Sequence, residues 1–377
     1  MVQHQYRRMA SVVAIAMLTP HALAGSVSAQ AVPERTLDTP RLTIGVTDGS
    51  PEYLLFGALQ AVRTTGGHIV VANMGTQQIR QYDSSGRHVR TVGRPGEGPG
   101  EFRMLQRIGL LVGDSVAAYD IGLGRITVFD PDGAVSRMAT VEPFGNTVLP
   151  RSWGFTRQGG MLVSTDFDRV FRSGSSRDTV HFAVTSPAGV PVDTLGRYAG
   201  EETFVLAVPD FATRRTVAFG RDVFATARGD RLVIGTNDDF SFDVYFAGGR
   251  TRRTYRYEQP ARRVTRAEVD RANAEWLDAQ NERFRQLLAP RIGDFPHAET
   301  WPAYGGLVAD TDGRVWVQHY SQQTSGGTAW TVFGADGMAR LTVRSRQPMR
   351  VVDAGADWVL CWSRDEMGVE RILLFDL

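Results

Sequence analysis

The segment Val-Phe-Asp130-Pro-Asp-Gly133 is one copy of a short phrase that decides the fold. In each copy a β-prone pair is followed, after three intervening residues, by a turn glycine. The phrase recurs as Gln-Tyr-Asp83-Ser-Ser-Gly86, Val-Thr-Ser186-Pro-Ala-Gly189, Val-Tyr-Phe246-Ala-Gly-Gly249 and Val-Phe-Gly334-Ala-Asp-Gly337, and the chain ends within a further copy, Leu-Phe-Asp376-Leu377. A hairpin phrase repeated every 40 to 50 residues or so predicts a β-propeller.

A second pattern lies upstream of each turn, where a glycine or aspartate leads into an alternating apolar strand. Six such strands occur, at residues 67–72, 113–119, 160–165, 230–235, 313–318 and 356–361. Each is preceded by another short apolar run. Together with the turn phrase, this gives four strands per repeat, A to D, which is one blade. The sequence therefore predicts six blades.

The two ends of the propeller complement one another. The last repeat supplies strands A, B and C, with residues 371–376 as strand C, and has no fourth strand. The alternating run Arg41-Leu-Thr-Ile-Gly-Val46 has no blade of its own. Pairing the two would close the ring and leave only short sheet edges exposed. We therefore expect an all-β, six-bladed β-propeller over residues 41–377, closed by an N-terminal strand.

One segment departs from the strand pattern. Residues 265–290 begin with Thr265-Arg-Ala-Glu268, a capping box, and carry apolar side chains on one face of a helical projection. This predicts one amphipathic helix of about six turns. It is inserted between blades four and five, and we expect it to lie on the propeller, over part of the face that carries the polar ring described next.

The N-terminus has the pattern of a signal peptide. Arg7 and Arg8 precede an apolar stretch that is too short to span a bilayer, and Val27-Ser28-Ala29 provides a small-residue cleavage site. We expect residues 1–29 to be removed and residues 30–40 to form a linker. The mature chain would then be exported to the periplasm or beyond the cell, with no membrane span.

Charge and composition exclude several classes of function. Without residues 1–29 the formal net charge changes from +1 to −1, because two arginines are lost. No basic field remains to bind nucleic acid. All 42 lysine-plus-arginine residues are arginine, so the chain lacks the lysine that Schiff-base and P-loop chemistry require. The only cysteine, Cys361, lies in an apolar run and is predicted to be buried.

A ring of polar positions is the candidate binding site. Counting four residues from the first large apolar residue of each strand B gives Asn73, Asp120, Asp166, Thr236, His319 and Trp362, with Asn237 beside Thr236. Equivalent positions in a closed ring lie on one circle near the channel mouth. Such side chains could orient a polar ligand or, through Asn73, Asp120 and Asp166, hold calcium. The alternative is that each Asn or Asp only caps its turn.

Three long connections between strand D and the next strand A open onto the same face. They comprise residues 93–104, 196–215 and 259–303, and function tends to reside on such loops. Aromatic and guanidinium groups enrich them: Phe102, Tyr198, Phe204, Phe211, Arg214, Arg215, Trp301 and Tyr304. Their composition suits a peptide, a saccharide or an acidic small molecule. They would serve equally as lids over the blade ends.

Residues 93–133 carry a family resemblance. Gly93-Arg-Pro-Gly-Glu-Gly-Pro-Gly-Glu-Phe102, strand B ending in Tyr-Asp120, and Gly124-Arg-Ile-Thr-Val-Phe-Asp130-Pro-Asp-Gly133 resemble exported bacterial six-bladed propellers related to NHL repeats, of the TolB-like class. The resemblance is close over residues 56–141 and limited to the strand framework elsewhere. It implies a six-bladed fold, an exported location and a binding role, with no uniform activity.

Two classes of function follow. The first is a non-catalytic exported binding or scaffold module, without a cofactor, that engages a protein, peptide or saccharide through its loop-rich face. The second is a metal-dependent hydrolase resembling gluconolactonase propellers, which would use a channel-mouth metal held by Glu, Asn and Asp. No glutamate at the start of a strand A matches that pattern. A zinc lyase would need several inward histidines, and only His319 qualifies.

Overall fold

The aspartate and the glycine of the repeated phrase build its turn. Asp83 Oδ1 accepts hydrogen bonds from the amides of Ser85 and Arg87, both at 3.0 Å. Gly86 and Gly133 have φ angles of 84° and 88°, a region that glycine enters without a Cβ clash. Side-chain acceptor and left-handed glycine together reverse the chain tightly between strands C and D.

The computed structural model describes residues 32–377 except 146, 166–172, 209–210, 247–250 and 322–325. Residues 33–377 form one compact unit, and its strands make the six-bladed β-propeller that the repeats predict. The expected signal peptide, residues 1–29, lies outside the described residues. No described helix is both long and apolar enough to cross a membrane.

Two N-terminal strands close the ring. β1 (Glu34–Leu37) is a fifth, outer strand of blade five, and β2 (Leu42–Ile44) is the fourth strand of blade six. In β2, Leu42 lies opposite Leu374 and Ile44 opposite Ile372, in antiparallel register. The predicted pairing between the N-terminal and C-terminal strands is thus confirmed. β1 was not predicted, because its four residues lie in the stretch expected to be a linker.

The blades follow in chain order. Blade one comprises β3 (Gln60–Arg63), β4 (Ile69–Asn73), β5 (Gln78–Tyr82) and β6 (His88–Val92). Blade two comprises β7 (Leu105–Leu110), β8 (Val116–Asp120), β9 (Arg125–Phe129) and β10 (Val135–Thr140). Blade three comprises β11 (Arg151–Thr156), β12 (Met161–Ser164), β13 (Gly174–Thr185), β14 (Pro191–Val208) and β15 (Phe211–Thr216).

The second half continues the pattern. Blade four comprises β16 (Val223–Gly229), β17 (Arg231–Thr236), β18 (Ser241–Phe246) and β19 (Thr251–Arg256). Blade five comprises β20 (Gly306–Ala309), β21 (Val315–Gln318), β22 (Thr328–Phe333) and β23 (Ala339–Ser345). Blade six comprises β24 (Arg350–Ala354), β25 (Trp358–Arg364) and β26 (Glu370–Asp376), completed by β2. Short 3-10 turns occupy Pro51–Tyr53, Met74–Thr76 and Val112–Asp114.

Innermost strands line the central channel, and each contacts the next one around the ring. Blades three and four are joined most tightly, since β11 and β16 pair in parallel with Gly154 opposite Ala227. A Cβ on Gly154 would lie 2.3 Å from the Ala227 carbonyl oxygen, so only glycine permits this approach. The apolar core lies between blades. Trp316 and Trp330 of blade five, for example, pack with Val351 and Phe375 of blade six.

The insertion between blades four and five contains two helices instead of the expected single one. α1 (Arg266–Asp278) begins with the predicted capping box, and α2 (Glu282–Leu288) follows after a break, with a 3-10 turn over Ala289–Asp294. The side chain of Asn281 accepts a hydrogen bond from the Phe284 amide and so begins a new helix. If α1 continued through residue 281, the Asn281 side chain could not make this capping contact.

The segment 196–215, expected to be a loop, is instead part of a β-hairpin that extends blade three. β14 and β15 pair from Thr203 opposite Thr216 to Val208 opposite Phe211. Phe204 and Leu206 of this hairpin pack with Leu288 and Trp276 of the helices. The helices therefore rest on the hairpin as well as on the blade four–five connection.

Candidate functional site

The loop-rich face is the face that carries the B-to-C and D-to-A connections, and its predicted ring begins with Asn73. Asn73 ends β4 and is fully buried. Its Oδ1 accepts a hydrogen bond from the Phe56 amide at 2.6 Å, and its Nδ2 donates to Thr76 Oγ1 at 2.9 Å. Asn73 thus ties the segment that enters blade one to the turn that follows β4.

Asp120 performs the same task in blade two. It ends β8 with no exposed surface. Its carboxylate accepts hydrogen bonds from the amides of Arg103 at 2.5 Å, Met104 at 3.2 Å and Leu123 at 2.9 Å. These donors belong to the segment entering blade two and to the following turn. Three backbone amides occupy the carboxylate.

In blade four the residue that joins an incoming segment to the B-to-C turn is Asn237, one position after the predicted Thr236. Its Oδ1 accepts from the Asp222 amide at 2.8 Å, and its Nδ2 donates to the Tyr304 carbonyl at 2.9 Å. The neighbouring Thr236 contributes its backbone carbonyl, which accepts from the Tyr304 hydroxyl at 2.9 Å. Asn237 thereby joins the segments that enter blades four and five.

The remaining ring residues do not join an incoming segment to a turn in this way. His319 follows β21 and shares a 2.9 Å hydrogen bond between Nε2 and Thr331 Oγ1. Burial, with a smaller contribution from Arg344, lowers the pKa of the His319 imidazole. Trp362 lies within β25, opposite Arg350, and its buried Nε1 has no partner among the described residues. Asp166 lies outside the described residues.

The ring therefore does not assemble as a ligand cluster in the described part of the chain, where no hydrogen bond or ion pair joins two of its side chains. Asp120 accepts from the Leu123 amide of its own turn, as the turn-capping alternative predicts, whereas Asn73 accepts from the Phe56 amide of the incoming segment. A cation on either side-chain oxygen would displace a backbone amide. Across the described ranges, no group of three His, Cys, Asp or Glu residues is placed to hold a metal ion. A calcium site that includes Asp166 stays a prediction.

Most aromatic and arginine residues of the three insertions are structural. Phe102 and Tyr304 are fully buried. Tyr198 donates a hydrogen bond to Asp243 at 2.7 Å, and Phe204 packs on Phe295 with ring centroids 5.7 Å apart. The Arg214 guanidinium pairs with Asp178 at 3.1 Å. These residues hold the hairpin and lids together, whereas Trp301 reaches a cavity.

That cavity, here called the groove, lies on the loop-rich face between blades four and five and encloses about 740 Å³. Its walls are the connection after β19, residues 256–262, and the segment 300–303 that enters blade five. His319 and Tyr320 close one end. Among the ring residues that the structure describes, His319 alone lines the groove.

Trp301 and Arg262 form a fixed contact between the two walls of the groove. The Arg262 guanidinium carbon lies 3.6 Å from the centroid of the Trp301 ring, a cation–π contact. Glu268, the capping-box glutamate of α1, accepts hydrogen bonds from Arg262 at 2.5 Å and from Trp301 Nε1 at 3.3 Å. The Thr265 amide and these donors hold the pKa of the Glu268 carboxyl below its usual range. The start of the helix therefore positions this contact.

Tyr257, on the wall formed by residues 256–262, presents an exposed aromatic surface to the groove. It is 40% exposed, yet its ring packs on Phe240 and Phe333 with centroids 5.3 and 5.7 Å away. Its amide donates to the Phe240 carbonyl at 2.9 Å. A rigid, half-exposed aromatic ring loses little side-chain entropy when a ligand covers it.

The groove carries balanced charge. Three arginines and three acids line it, namely Arg221, Arg256, Arg262, Asp238, Asp239 and Glu258. Burial opposes ionisation of Asp238, but two hydrogen bonds from Arg177, at 2.7 and 2.8 Å, outweigh it and hold the pKa of this carboxyl below its usual range. Arg256 and Asp239 are both exposed, and their charged groups are 4.0 Å apart. Exposed charges of both signs therefore lie at the rim of the groove.

A second cavity, of about 730 Å³, opens at the other end of the channel, among the A-to-B turns. Its lining holds four arginines and four aspartates, so its formal charge is zero. Several of these groups are already engaged. Asp114 accepts hydrogen bonds from Thr65, for example, and Asp310 pairs with Arg314 at 2.6 Å.

Comparison with known families supports the architecture. The DUF5128 family model, described as a 6-bladed beta-propeller, matches residues 50–142. The matched segment contains blades one and two, which also carry two copies of the repeated turn phrase. No curated protein matches this chain.

The chain is similar to several solved structures at low sequence identity. A member of the DUF4221 family from Bacteroides vulgatus is 9% identical, with a TM-score of 0.52, and the alignment covers 90% of this chain and 98% of that one. A provisionally designated exported protein of Bacteroides fragilis gives 10% identity, a TM-score of 0.49 and coverages of 92% and 99%. Regucalcin from Agrobacterium tumefaciens, a calcium-binding protein, is 11% identical, with a TM-score of 0.40, and the alignment covers 92% of this chain and 96% of that one. At 9% identity the first of these similarities shows the fold alone.

Proposed function

We propose that the protein is a non-catalytic binding module whose groove holds a short peptide segment that carries both apolar and charged side chains. The observation that carries this proposal is the combination of the exposed, rigid Tyr257 ring with rim charges of both signs. A peptide offers apolar side chains for the ring and charged groups for the rim. The ring side chains Asn73, Asp120 and Asn237 are engaged with backbone groups, which favours binding at the groove over chemistry at the ring.

We further propose that the protein is exported. The positive start, short apolar stretch and small-residue cleavage site within residues 1–29 support this. A peptide-binding module in the periplasm or outside the cell would meet segments of other exported proteins. Mass spectrometry of the protein recovered from outside the cytoplasm should find the mature N-terminus near residue 30. A chain that retains Met1 there would contradict export by cleavage.

Binding to peptide and glycan arrays, followed by fluorescence anisotropy with the best ligand, tests the groove. We expect Tyr257→Ala to weaken peptide binding by roughly ten-fold, because burying one aromatic ring contributes about 1.5 kcal/mol or more. Phe56→Ala is the matched control, since Phe56 is an aromatic residue of the same face that is 55% exposed and does not line the groove. The ligand should be recovered at unchanged mass.

Three results would contradict the proposal. If the Tyr257→Ala variant and the unmodified protein bind the peptide with equal affinity, the groove is not the binding site. Selective binding to glycans would replace the peptide by a saccharide ligand. Conversion of the bound ligand would show that the module is catalytic.

A further inference from the structure

The second cavity, among the A-to-B turns, is lined by residues of all six blades. Two of its arginines, Arg63 of blade one and Arg231 of blade four, lie over aromatic rings. The Arg63 guanidinium carbon is 5.0 Å from the centroid of the Trp358 ring, and the Arg231 guanidinium carbon is 4.6 Å from the centroid of the Phe246 ring. A guanidinium stacked on a ring is held in place, while its N–H groups point outward in the plane of the fork.

Neither of these guanidinium groups has a hydrogen-bond acceptor or a carboxylate partner among the described residues. Nε of Arg63 and Nη1 of Arg231 are both buried without a partner. Residues 247–250, which follow Phe246 in the chain, include no Asp or Glu. A Cβ on Gly313 would lie 2.7 Å from Arg231 Nε, so glycine leaves the space that this guanidinium fills. Unused donors in the lining of a cavity favour a ligand that supplies oxygen acceptors.

The charges of the lining nevertheless balance. Arg228 is paired with the buried Asp353 at 2.9 Å, and the buried Asp310 is paired with Arg314 at 2.6 Å. Asp353 and Arg314 do not line the cavity, so one pair neutralises a positive lining charge and the other a negative one. Of the four arginines and four aspartates in the described lining, three of each remain. The cavity therefore favours no net charge on its ligand.

Asp230 and Asp312 place acceptors close to the Arg231 donors. Asp230 precedes Arg231 in the chain, and Asp312 precedes Gly313, which packs against the Arg231 guanidinium. Both carboxylates are exposed, and an ion pair with Arg157 at 3.3 Å engages one oxygen of Asp230. A carboxylate offers about four lone-pair sites, so each can accept further hydrogen bonds from a ligand. Donors and acceptors thus lie side by side on one wall.

We propose that the second cavity binds an uncharged saccharide. Sugar oxygens would accept hydrogen bonds from Arg63 and Arg231, and sugar hydroxyls would donate to Asp230 and Asp312. The C–H face of a sugar ring would cover Val112, which is 67% exposed. The volume of about 730 Å³ is within the range of small-ligand pockets, roughly 300–1,000 Å³. This site lies at the opposite end of the channel from the groove and shares no lining residue with it.

Saturation-transfer-difference NMR tests the site, with maltotetraose, cellotetraose, xylotetraose and mannotetraose as uncharged probes and tetragalacturonate as an acidic one. We expect at least one uncharged saccharide to bind. Isothermal titration calorimetry with that saccharide then compares variants. Arg231→Gln should weaken binding by about ten-fold, the effect of one charge-assisted hydrogen bond. Asp312→Ala should also weaken it, because the ligand loses an acceptor.

Arg253→Gln is the matched control, because Arg253 also lies over the Phe246 ring, at 5.8 Å, but does not line the cavity. Asp312 is exposed, so its variant should fold even if the Arg231 variant does not. The proposal is overturned if no uncharged saccharide binds, or if tetragalacturonate alone binds. It is also overturned if Arg253→Gln weakens binding as much as Arg231→Gln.

Two crossed measurements separate this cavity from the groove. Tyr257→Ala should leave saccharide binding unchanged, and Arg231→Gln should leave peptide binding unchanged. Saccharide binding that Tyr257→Ala abolishes would place the sugar in the groove and would overturn the proposal. The two sites can therefore fail independently.

Discussion

At the scale of single residues, the polar side chains that end the B strands serve the fold. Asn73, Asp120 and Asn237 each fix an incoming segment to a B-to-C turn. The same residue types at the same register would also suit a metal site, so the pattern alone could not distinguish the two roles. What distinguishes them is the position of backbone amides contributed by segments 16 and 17 residues away.

Asp120→Ala should therefore destabilise the protein by about 2–3 kcal/mol, because it leaves three backbone amides without their acceptor. Urea denaturation of both proteins measures this difference. Asp130→Ala is the control, since Asp130 caps a solvent-accessible hairpin turn whose amides water can reach, and its cost should be about 1 kcal/mol. An unchanged or raised stability for Asp120→Ala would favour the ligand role instead.

Asp222 makes stability depend on pH. Because burial raises the pKa of this carboxyl in the folded state to about 6, above its ordinary value, the folded state binds the proton more tightly than the unfolded state. The stabilisation is present at pH values below about 4 and is lost as the pH rises through 6. Asp222→Asn should remove this component. Denaturation at pH 4 and pH 7 should show a smaller decrease in stability for the variant, and equal decreases would contradict the assignment.

At the scale of elements, the sequence predicted regular strands well and irregular insertions poorly. Alternation and turn glycines identified the strands of all six blades. The β14–β15 extension was expected to be a loop, because Gly196, Gly200 and the pair Glu201-Glu202 interrupt the apolar alternation. Its pairing depends on a partner strand and on the helices, which short-range patterns do not reveal. Similarly, the groove depends on Tyr257, which follows an edge strand and carries no motif.

The helices and the extended hairpin should stabilise each other. Trp276 packs on Phe295 with ring centroids 5.2 Å apart, and the Arg215 guanidinium carbon lies 4.6 Å from the Trp276 ring. Trp276→Ala should cost about 2 kcal/mol, less than a fully buried tryptophan, because the ring is half-buried. Leu287→Ala is the control, since Leu287 on α2 is 46% exposed and its loss should cost about 0.5 kcal/mol or less. Equal melting temperatures for the two variants would contradict this packing.

At the scale of the whole molecule, the ring is closed through blade six, which is completed only by β2. Closure was predictable, because an unfinished blade at one end and an unassigned strand at the other complement each other. The parallel strand β1 was not predictable from the sequence, because its four residues include three polar side chains and show no strand periodicity.

Thermal melting of a variant that lacks residues 30–48 tests the closed ring most directly. This deletion removes β2 and exposes the edge of blade six, so we predict that the variant loses its cooperative transition. A second variant that lacks only residues 30–38 retains β2 and should still melt cooperatively, at a modestly lower temperature. A variant without residues 30–48 that melts cooperatively at the temperature of the full-length protein would contradict closure by the N-terminal strand.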